Sequence, residues 1–265
     1  MKSQLQKCIA TNPVQRALGA LLFAALLTVG NAAWAAQVAG VVARLSGPLM
    51  AKKADGSVKV LALKSEIESG DTLVSEKNTY AQIKFIDNSE ITLRPGTTFK
   101  VENFSFDEGK PDADSASYSL VKGGLRSITG LMGKRNKEKF SLKTPNATIG
   151  IRGTTFVVQY VAPAAQEAAP KLPASGAPPA LPPGLHLSVT DGAIIVTNNG
   201  GALGFQAGQF GYVPNANQAP VIVPPNTNLQ FVPPPSFDAG AGGPLAGNGP
   251  AAGQGQGQGA DCIVR

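Results

Sequence analysis

Histidine occurs once in this sequence, at position 186, and cysteine twice, at positions 8 and 262. A triad or a metal site built on imidazoles would therefore rest on a single ring. No Gly-x-Ser-x-Gly, His-Glu-x-x-His, phosphate-loop or paired-cysteine pattern is present either. His186 reads as a polar residue at the end of a strand, and the chain reads as a non-enzyme with no metal and no cofactor. Tryptophan is also single, at Trp34. Charge is sparse, at 15% of residues. Mature strand-forming sequence runs from residue 37 onward, and none of it shows a sustained helical period.

The one long apolar run is "ALGALLFAALLTVG", which follows Lys2, Lys7 and Arg16 and precedes "NAAWAAQ". It is shorter than the roughly 20 residues of a membrane span. A basic start, a short apolar run and an Ala-x-Ala site describe a secretory signal peptide cleaved after Ala35. The alternative is an uncleaved anchor. No cysteine follows the site, so a lipoprotein signal is excluded. Cleavage removes three of the 23 basic residues and none of the 17 acidic ones, so a formal +6 falls to near +3. That balance is too mild to point to nucleic acid. Cleavage also removes Cys8 and leaves Cys262 alone, so no internal disulfide can form.

What is present is alternation. In "YAQIKFID", Ala81, Ile83 and Phe85 share one face and Gln82 and Lys84 the other, a half-buried strand. "EITLR", "FKVENF", "FSLKT" and "TTFVVQYV" repeat the pattern between Gly, Pro and Asn punctuation. The expected fold is all-β: a sandwich, a roll or a short solenoid of repeated strand–turn–strand units. "NSEITLRPGTTFKV" (88–101) echoes "NATIGIRGTTFVV" (146–158), with a weaker third copy at 201–213. Such copies are expected to bury their apolar faces against one another.

The expected organisation is a signal peptide at 1–35 and an all-β domain at 36–213. A Pro/Ala-rich insertion at 162–184 interrupts that domain. A disordered Pro/Gly/Gln-rich tail follows at 214–265, since its composition cannot offset ordering entropy. Gly150, Arg152 and Gly153 lead into no helix, so they do not read as a phosphate loop. Gly153 reads as a turn or bulge glycine and Arg152 as a surface cation, while Ile149, Ile151, Phe156 and Val158 read as core. The acidic stretch 105–117 reads as a solvated hairpin loop. Lys134, Arg135, Lys137 and Lys139 crowd a second loop. They form a candidate surface for an anionic lipid, an anionic wall polymer or an acidic protein, unless the loop is simply a hairpin tip kept soluble by lysines.

"TPNATIGIRGTTFVV" resembles the Thr-Pro-Asn-x-Thr-x-x-x-Arg-Gly-Thr-x-Phe signature of FecR-type domains, carried here by Thr144, Pro145, Asn146, Arg152, Gly153, Thr154 and Phe156. "SGDTLVSEKNTYAQIKFIDNSEITLRPGTTFKV" and "LVKGGLRSITGLMGKRN" are similar to other blocks of that family, in order. The resemblance covers about residues 70–161, and more weakly 37–213. It implies a periplasmic or secreted all-β binding or sensing domain of the bacterial envelope. In the family's three-part members, a cytoplasmic anti-sigma segment and a membrane helix precede a periplasmic domain that receives a signal from an outer-membrane receptor. Only about 16 residues precede the apolar run here, so the resemblance implies a stand-alone exported domain. The partner it implies is an envelope protein, such as a receptor signalling domain, or an anionic wall or lipid component. The remaining alternatives are a membrane-anchored sigma-factor regulator and a wall- or glycan-associated structural protein with the tail as spacer.

Cleavage after Ala35 carries Trp34 away. The exported protein should have an intact mass lacking residues 1–35 and no indole emission. A mass that includes those residues, or tryptophan fluorescence, overturns the assignment.

Overall fold

The computed structural model describes residues 37–163, 181–229, 231–232 and 237. The expected signal peptide, most of the proline-rich insertion and the end of the tail lie outside these residues.

The chain is all-β, as its alternation predicts. Among the described residues, 17 strands make two layers that share one long strand. In spatial order the first layer is β4 (Glu66–Glu68), β1 (Val38–Leu45), β6 (Ala81–Phe85), β7 (Glu90–Leu93), the second half of β9 (Ser115–Ile128), β12 (Thr155–Val161), β13 (Gly184–Asp191), β16 (Phe210–Val213) and β17 (Val221–Val223). The second layer is β3 (Val58–Leu61), β2 (Leu49–Lys52), β5 (Thr72–Ser75), β8 (Thr98–Ser105), the first half of β9, β10 (Phe140–Lys143), β11 (Thr148–Ile151), β14 (Ala193–Asn198) and β15 (Gly201–Gln206). Every pairing is antiparallel except β9 with β10.

Strand β9 changes layers at Gly123–Gly124. Before the step, Ala116, Tyr118 and Leu120 are buried; after it, Leu125 and Ser127 are. The inward parity switches from even to odd positions, which keeps one face on the core as the strand crosses over. Gly123 has φ +85°, and a Cβ there would lie 2.6 Å from Thr97 Cα, so only glycine fits. Thr97 is fully buried, and its Oγ1 donates to the Gly124 carbonyl (2.9 Å) and accepts from the Gly124 N–H (3.0 Å). The core between the layers centres on Tyr118, with Phe85, Phe99 and Phe140 ring centroids at 5.3, 5.4 and 5.6 Å. Contacts of this kind contribute beyond buried area alone.

The sequence echo is a repeated corner that carries the chain from one layer to the other. At the β7–β8 corner the Arg94 N–H and the Thr97 Oγ1 both donate to the Gly124 carbonyl. At the β11–β12 corner the Arg152 N–H and the Thr154 Oγ1 both donate to the Ala193 carbonyl. Gly96 and Gly153 take matching left-handed φ values of 68° and 67°. The third, weaker copy keeps the backbone bond, Ala207 N–H to the Gly192 carbonyl, with Gly208 at φ 84°. The first two copies are not paired edge to edge: β7 and β12 pair with opposite edges of β9, where Leu93 and Val158 both face Leu125. The apolar residues of both copies enter one shared core.

One further feature differs from the composition reading. Residues 214–229, assigned to the tail, carry β17 and a buried Leu229. Past them, Phe231 and the buried Phe237 pack edge-on against Tyr80 (6.0 and 6.2 Å), so this end of the chain crosses the outer side of the first layer. Composition misses it because a few apolar residues in a proline-rich stretch suffice when a sheet face is waiting. In addition, Val161 pairs with Gly184, so the residues between them join two adjacent antiparallel strands.

Thr97→Val should cost about 1–3 kcal/mol, because it strands the Gly124 N–H in the core and leaves the Gly124 carbonyl with the Arg94 N–H alone. Phe156→Ala, which empties a fully buried ring site, should cost about 3–5 kcal/mol. Thr98→Val, at a part-exposed position one residue on, should be close to neutral. Denaturant melts of the three variants decide this, and a neutral Thr97→Val would remove the corner from its structural role.

Candidate interaction face

The signature residues fall into a turn and a corner. Thr144 and Ala147 close the turn between β10 and β11: Thr144 Oγ1 donates to the Ala147 carbonyl (2.8 Å) and accepts from the Ala147 N–H (3.0 Å). Pro145 is exposed at the tip. Asn146 is buried, and its Nδ2 donates to the carbonyls of Val213 (2.9 Å) and Pro214 (3.0 Å), fastening the end of β16 to this turn. At the corner, Thr154 and Phe156 are buried and Gly153 supplies the left-handed turn. Ile149, Ile151 and Val158 are buried as their alternation predicts.

Arg152 is the exposed member of the corner. Its guanidinium makes no hydrogen bond or ion pair with the described residues. Its counterpart Arg94 differs: Nη1 lies 3.1 Å from Gln159 Oε1, both Nη atoms lie 3.4 Å from the Asn228 carbonyl, and Phe231 sits 5.8 Å from the guanidinium. The same residue of the same motif is thus covered in one copy and open in the other.

The basic cluster lies on a crossover, since β9 and β10 run parallel and cannot be joined by a hairpin. A short helix, α1 (Leu131–Arg135), and a 3-10 turn (Lys137–Lys139) fill the connection. Gly133 brings α1 onto β11; a Cβ there would meet Ile151 Cδ1 at 2.6 Å. Lys134, Lys137 and Lys139 are exposed and free of ion pairs with described residues. Arg135 has a different role. Its Nε and Nη2 grip the buried Asp114 carboxylate (2.8 and 3.0 Å), and its Nη2 and Nη1 donate to the carbonyls of Asp107 and Glu108. The guanidinium also lies 4.7 Å from the Phe106 ring. The acidic hairpin and the basic crossover, separate in the sequence reading, are clamped together here. Spacing gives no sign of that contact, because the partners are 21 positions apart with a layer-crossing strand between them.

The crossover and the signature corner meet. Lys137, Glu138, Phe140, Gly150, Ile151, Arg152 and Ile195 line an open depression of ≈ 330 Å³ on the outer side of the second layer. A neighbouring depression of ≈ 320 Å³, also edged by Arg152, has Gly204 and Gln206 on its rim. Ile195, an exposed apolar side chain at 42% exposure, separates the two, standing between Gly150 and Gly204 in the register. Lys134 closes the far side beside Gly153. The result is a rim bearing Lys134, Lys137 and Arg152, with Glu138 and Asp191 beside them, around a small apolar ridge.

His186 is not at a strand end. It is the third residue of β13, buried, with Nε2–H donating to the Pro182 carbonyl (2.8 Å) and the ring stacked on Tyr212 at 4.7 Å. Burial pushes its pKa below the ordinary histidine value, against the Pro182 hydrogen bond. The alternating pattern missed this because β13 is buried on both faces at Leu185–Leu187. Among the described residues no group of three or more His, Cys, Asp and Glu is placed to hold a metal ion.

The order of these blocks, the turn, the layer-crossing corner and the long ninth strand, can be set beside known proteins. Residues 71–169 match the family described as FecR protein. The FecR-matching segment thus runs from the start of β5 through the signature corner and past β12. No curated protein matches the chain. Among solved structures, a cell surface anchoring domain is 21% identical, with 23% of this chain and 82% of that one covered and a TM-score of 0.23. A protein of Parabacteroides distasonis described as a candidate anti-sigma factor is 15% identical, with 57% of this chain covered and a TM-score of 0.39. This chain spans 58% of the length of that protein. Neither likeness is close enough to bear on function.

Arg135→Ala should lower the unfolding midpoint, since it leaves the buried Asp114 carboxylate unpaired. Arg152→Ala and the triple Lys134→Ala/Lys137→Ala/Lys139→Ala should leave the midpoint nearly unchanged, as exposed cations contribute little. Thermal melts at matched ionic strength check this; equal loss in Arg135→Ala and Arg152→Ala contradicts it.

Proposed function

We propose that this chain is an exported, non-enzymatic FecR-like binding or sensing domain of the bacterial cell envelope. It works by docking an envelope partner on the rim formed by Lys134, Lys137, Lys139 and Arg152. The match of residues 71–169 to FecR protein supports the sensing role. The open rim supports the partner's sign: four cations without acidic partners favour an anionic surface and steer its approach. Arg135 belongs to the fold, not to this surface. Thr144, Pro145, Asn146, Gly153, Thr154 and Phe156 set the geometry that presents Arg152. Among the described residues no helix is long and apolar enough to cross a membrane. A chain that retains its apolar N-terminal run would instead act as an anchored regulator.

The test uses the exported full-length chain and three probes: an outer-membrane receptor signalling domain, purified wall polymer and phosphatidylglycerol vesicles. Retention of at least one probe that weakens with salt and is lost on replacing Lys134, Lys137, Lys139 and Arg152 by alanine supports the reading. Retention unaffected by these replacements, or of none of the probes, overturns it.

A further inference from the structure

The outer sides of the two layers differ in cover and in charge. The first layer's strands carry Arg44, Lys84 and Arg126 against Glu66, Glu68, Glu90 and Asp191, and Leu229, Phe231 and Phe237 lie against that layer. The second layer's outward positions carry Lys52, Lys100, Lys122 and Lys143 against Glu102, while Lys59 shares the face of the buried Ala51. Its outer side is uncovered by the described residues.

Register orders that side further. One row of cross-strand partners runs Lys52 (β2), Thr72 (β5), Lys100 (β8), Ser119 (β9), Lys143 (β10), Thr148 (β11), Thr197 (β14) and Ala202 (β15). All eight point outward, opposite the buried positions of their strands. From β2 to β11 a lysine therefore alternates with a hydroxyl, and Thr197 and Ala202 end the row without a further lysine. Strands lie about 4.8 Å apart, so the ammonium groups recur about every 10 Å with a hydroxyl between. The hydroxyls of Thr72, Ser119, Thr148 and Thr197 make no hydrogen bond with described residues. Lys143 holds Glu102 at 2.9 Å while staying half-exposed. In the next row Gly150 and Gly204 flank Ile195, which keeps the shelf low around one apolar ridge.

We infer that this row is a binding site for a linear anionic polysaccharide lying across the strands, charged on every second sugar. A pyranose unit is about as long as the strand spacing, roughly 5 Å, so one sugar sits over each strand. Carboxylates then meet Lys52, Lys100 and Lys143, and the intervening sugars meet the hydroxyls. The apolar face of a sugar ring rests on Ile195. Nucleic acid fits the comb poorly, since a strand carries a phosphate on every nucleotide and not on every second unit. The row ends beyond Lys52 in the exposed apolar Val58 of β3, so lipid vesicles are a comparison probe in the experiment. The inference rests on the envelope-binding reading above and names the class of ligand, but it uses side chains other than the rim.

The experiment titrates the full-length exported chain with hyaluronan oligosaccharides, which carry one carboxylate per disaccharide. Neutral dextran, single-stranded DNA and phosphatidylglycerol vesicles are the comparison probes. Hyaluronan should bind in preference to all three, and more weakly as salt rises. Replacing Lys52, Lys100 and Lys143 together by alanine should weaken it about tenfold or more, with the melting midpoint held as the check on folding. Glu102→Gln removes the acid that competes for Lys143 and should tighten binding about twofold; no gain counts against the comb. Equal binding of dextran or DNA, or an unaffected lysine variant, overturns it. If the rim variant alone loses hyaluronan, or if only a receptor domain or vesicle is retained, the comb is wrong while the envelope reading stands.

Discussion

A single backbone step holds the two layers to one another. At Gly123–Gly124 the longest strand leaves one layer and enters the other, and the Thr97 hydroxyl takes up both polar groups of Gly124 as it does so. The step works only because no Cβ stands at Gly123, where Thr97 presses against the backbone. The parity switch keeps Tyr118 and Leu125 on one core although seven residues would otherwise put them on opposite faces. Every other strand is placed by adding outward from one of the four edges that β9 exposes, two in each layer.

The sequence made the local half of this structure readable. Two-residue alternation located β6, β7, β8, β10 and β12, and the echoed Arg-Gly-Thr-Thr-Phe marked the corners before any coordinates were needed. Gly153 was identifiable because a left-handed turn leaves few alternatives to glycine. What escaped depends on contacts distant in the chain. The parallel pairing of β9 and β10 leaves no local sign. Arg135 looks like its lysine neighbours until Asp114 is brought under it. His186 looks exposed until β13 is buried on both faces. The row of lysines across the second layer is invisible in a linear sequence, because its members come from β2, β8 and β10 and are aligned only by register. The candidate rim was therefore half legible: its lysines by composition, its junction with Arg152 only through the fold.

The repeated corner also shows how one motif serves two ends. Arg94 and Arg152 hold equivalent backbone positions, each with its N–H on a carbonyl shared with a threonine hydroxyl. Their side chains diverge because Asn228 and Phe231, beyond β17, lie beside Arg94. The Arg94 guanidinium also meets Gln159. No described residue covers Arg152, and the neighbouring crossover adds further positive charge of the same kind.

The sharing of β9 has a consequence for biogenesis. Strands β1 to β8, with β9, complete one side of both layers: β4-β1-β6-β7-β9 in the first and β3-β2-β5-β8-β9 in the second. Strands β10 to β17 then extend only the opposite side. A polypeptide delivered amino end first can thus close a half-sandwich as soon as its ninth strand emerges, and each later strand meets an edge that already exists. This strand order permits vectorial assembly, since no pairing of β1 to β8 needs a strand beyond β9. In a chain dominated by long-range pairings, where unpaired edges invite aggregation, that order shortens the time any early edge stays unpaired.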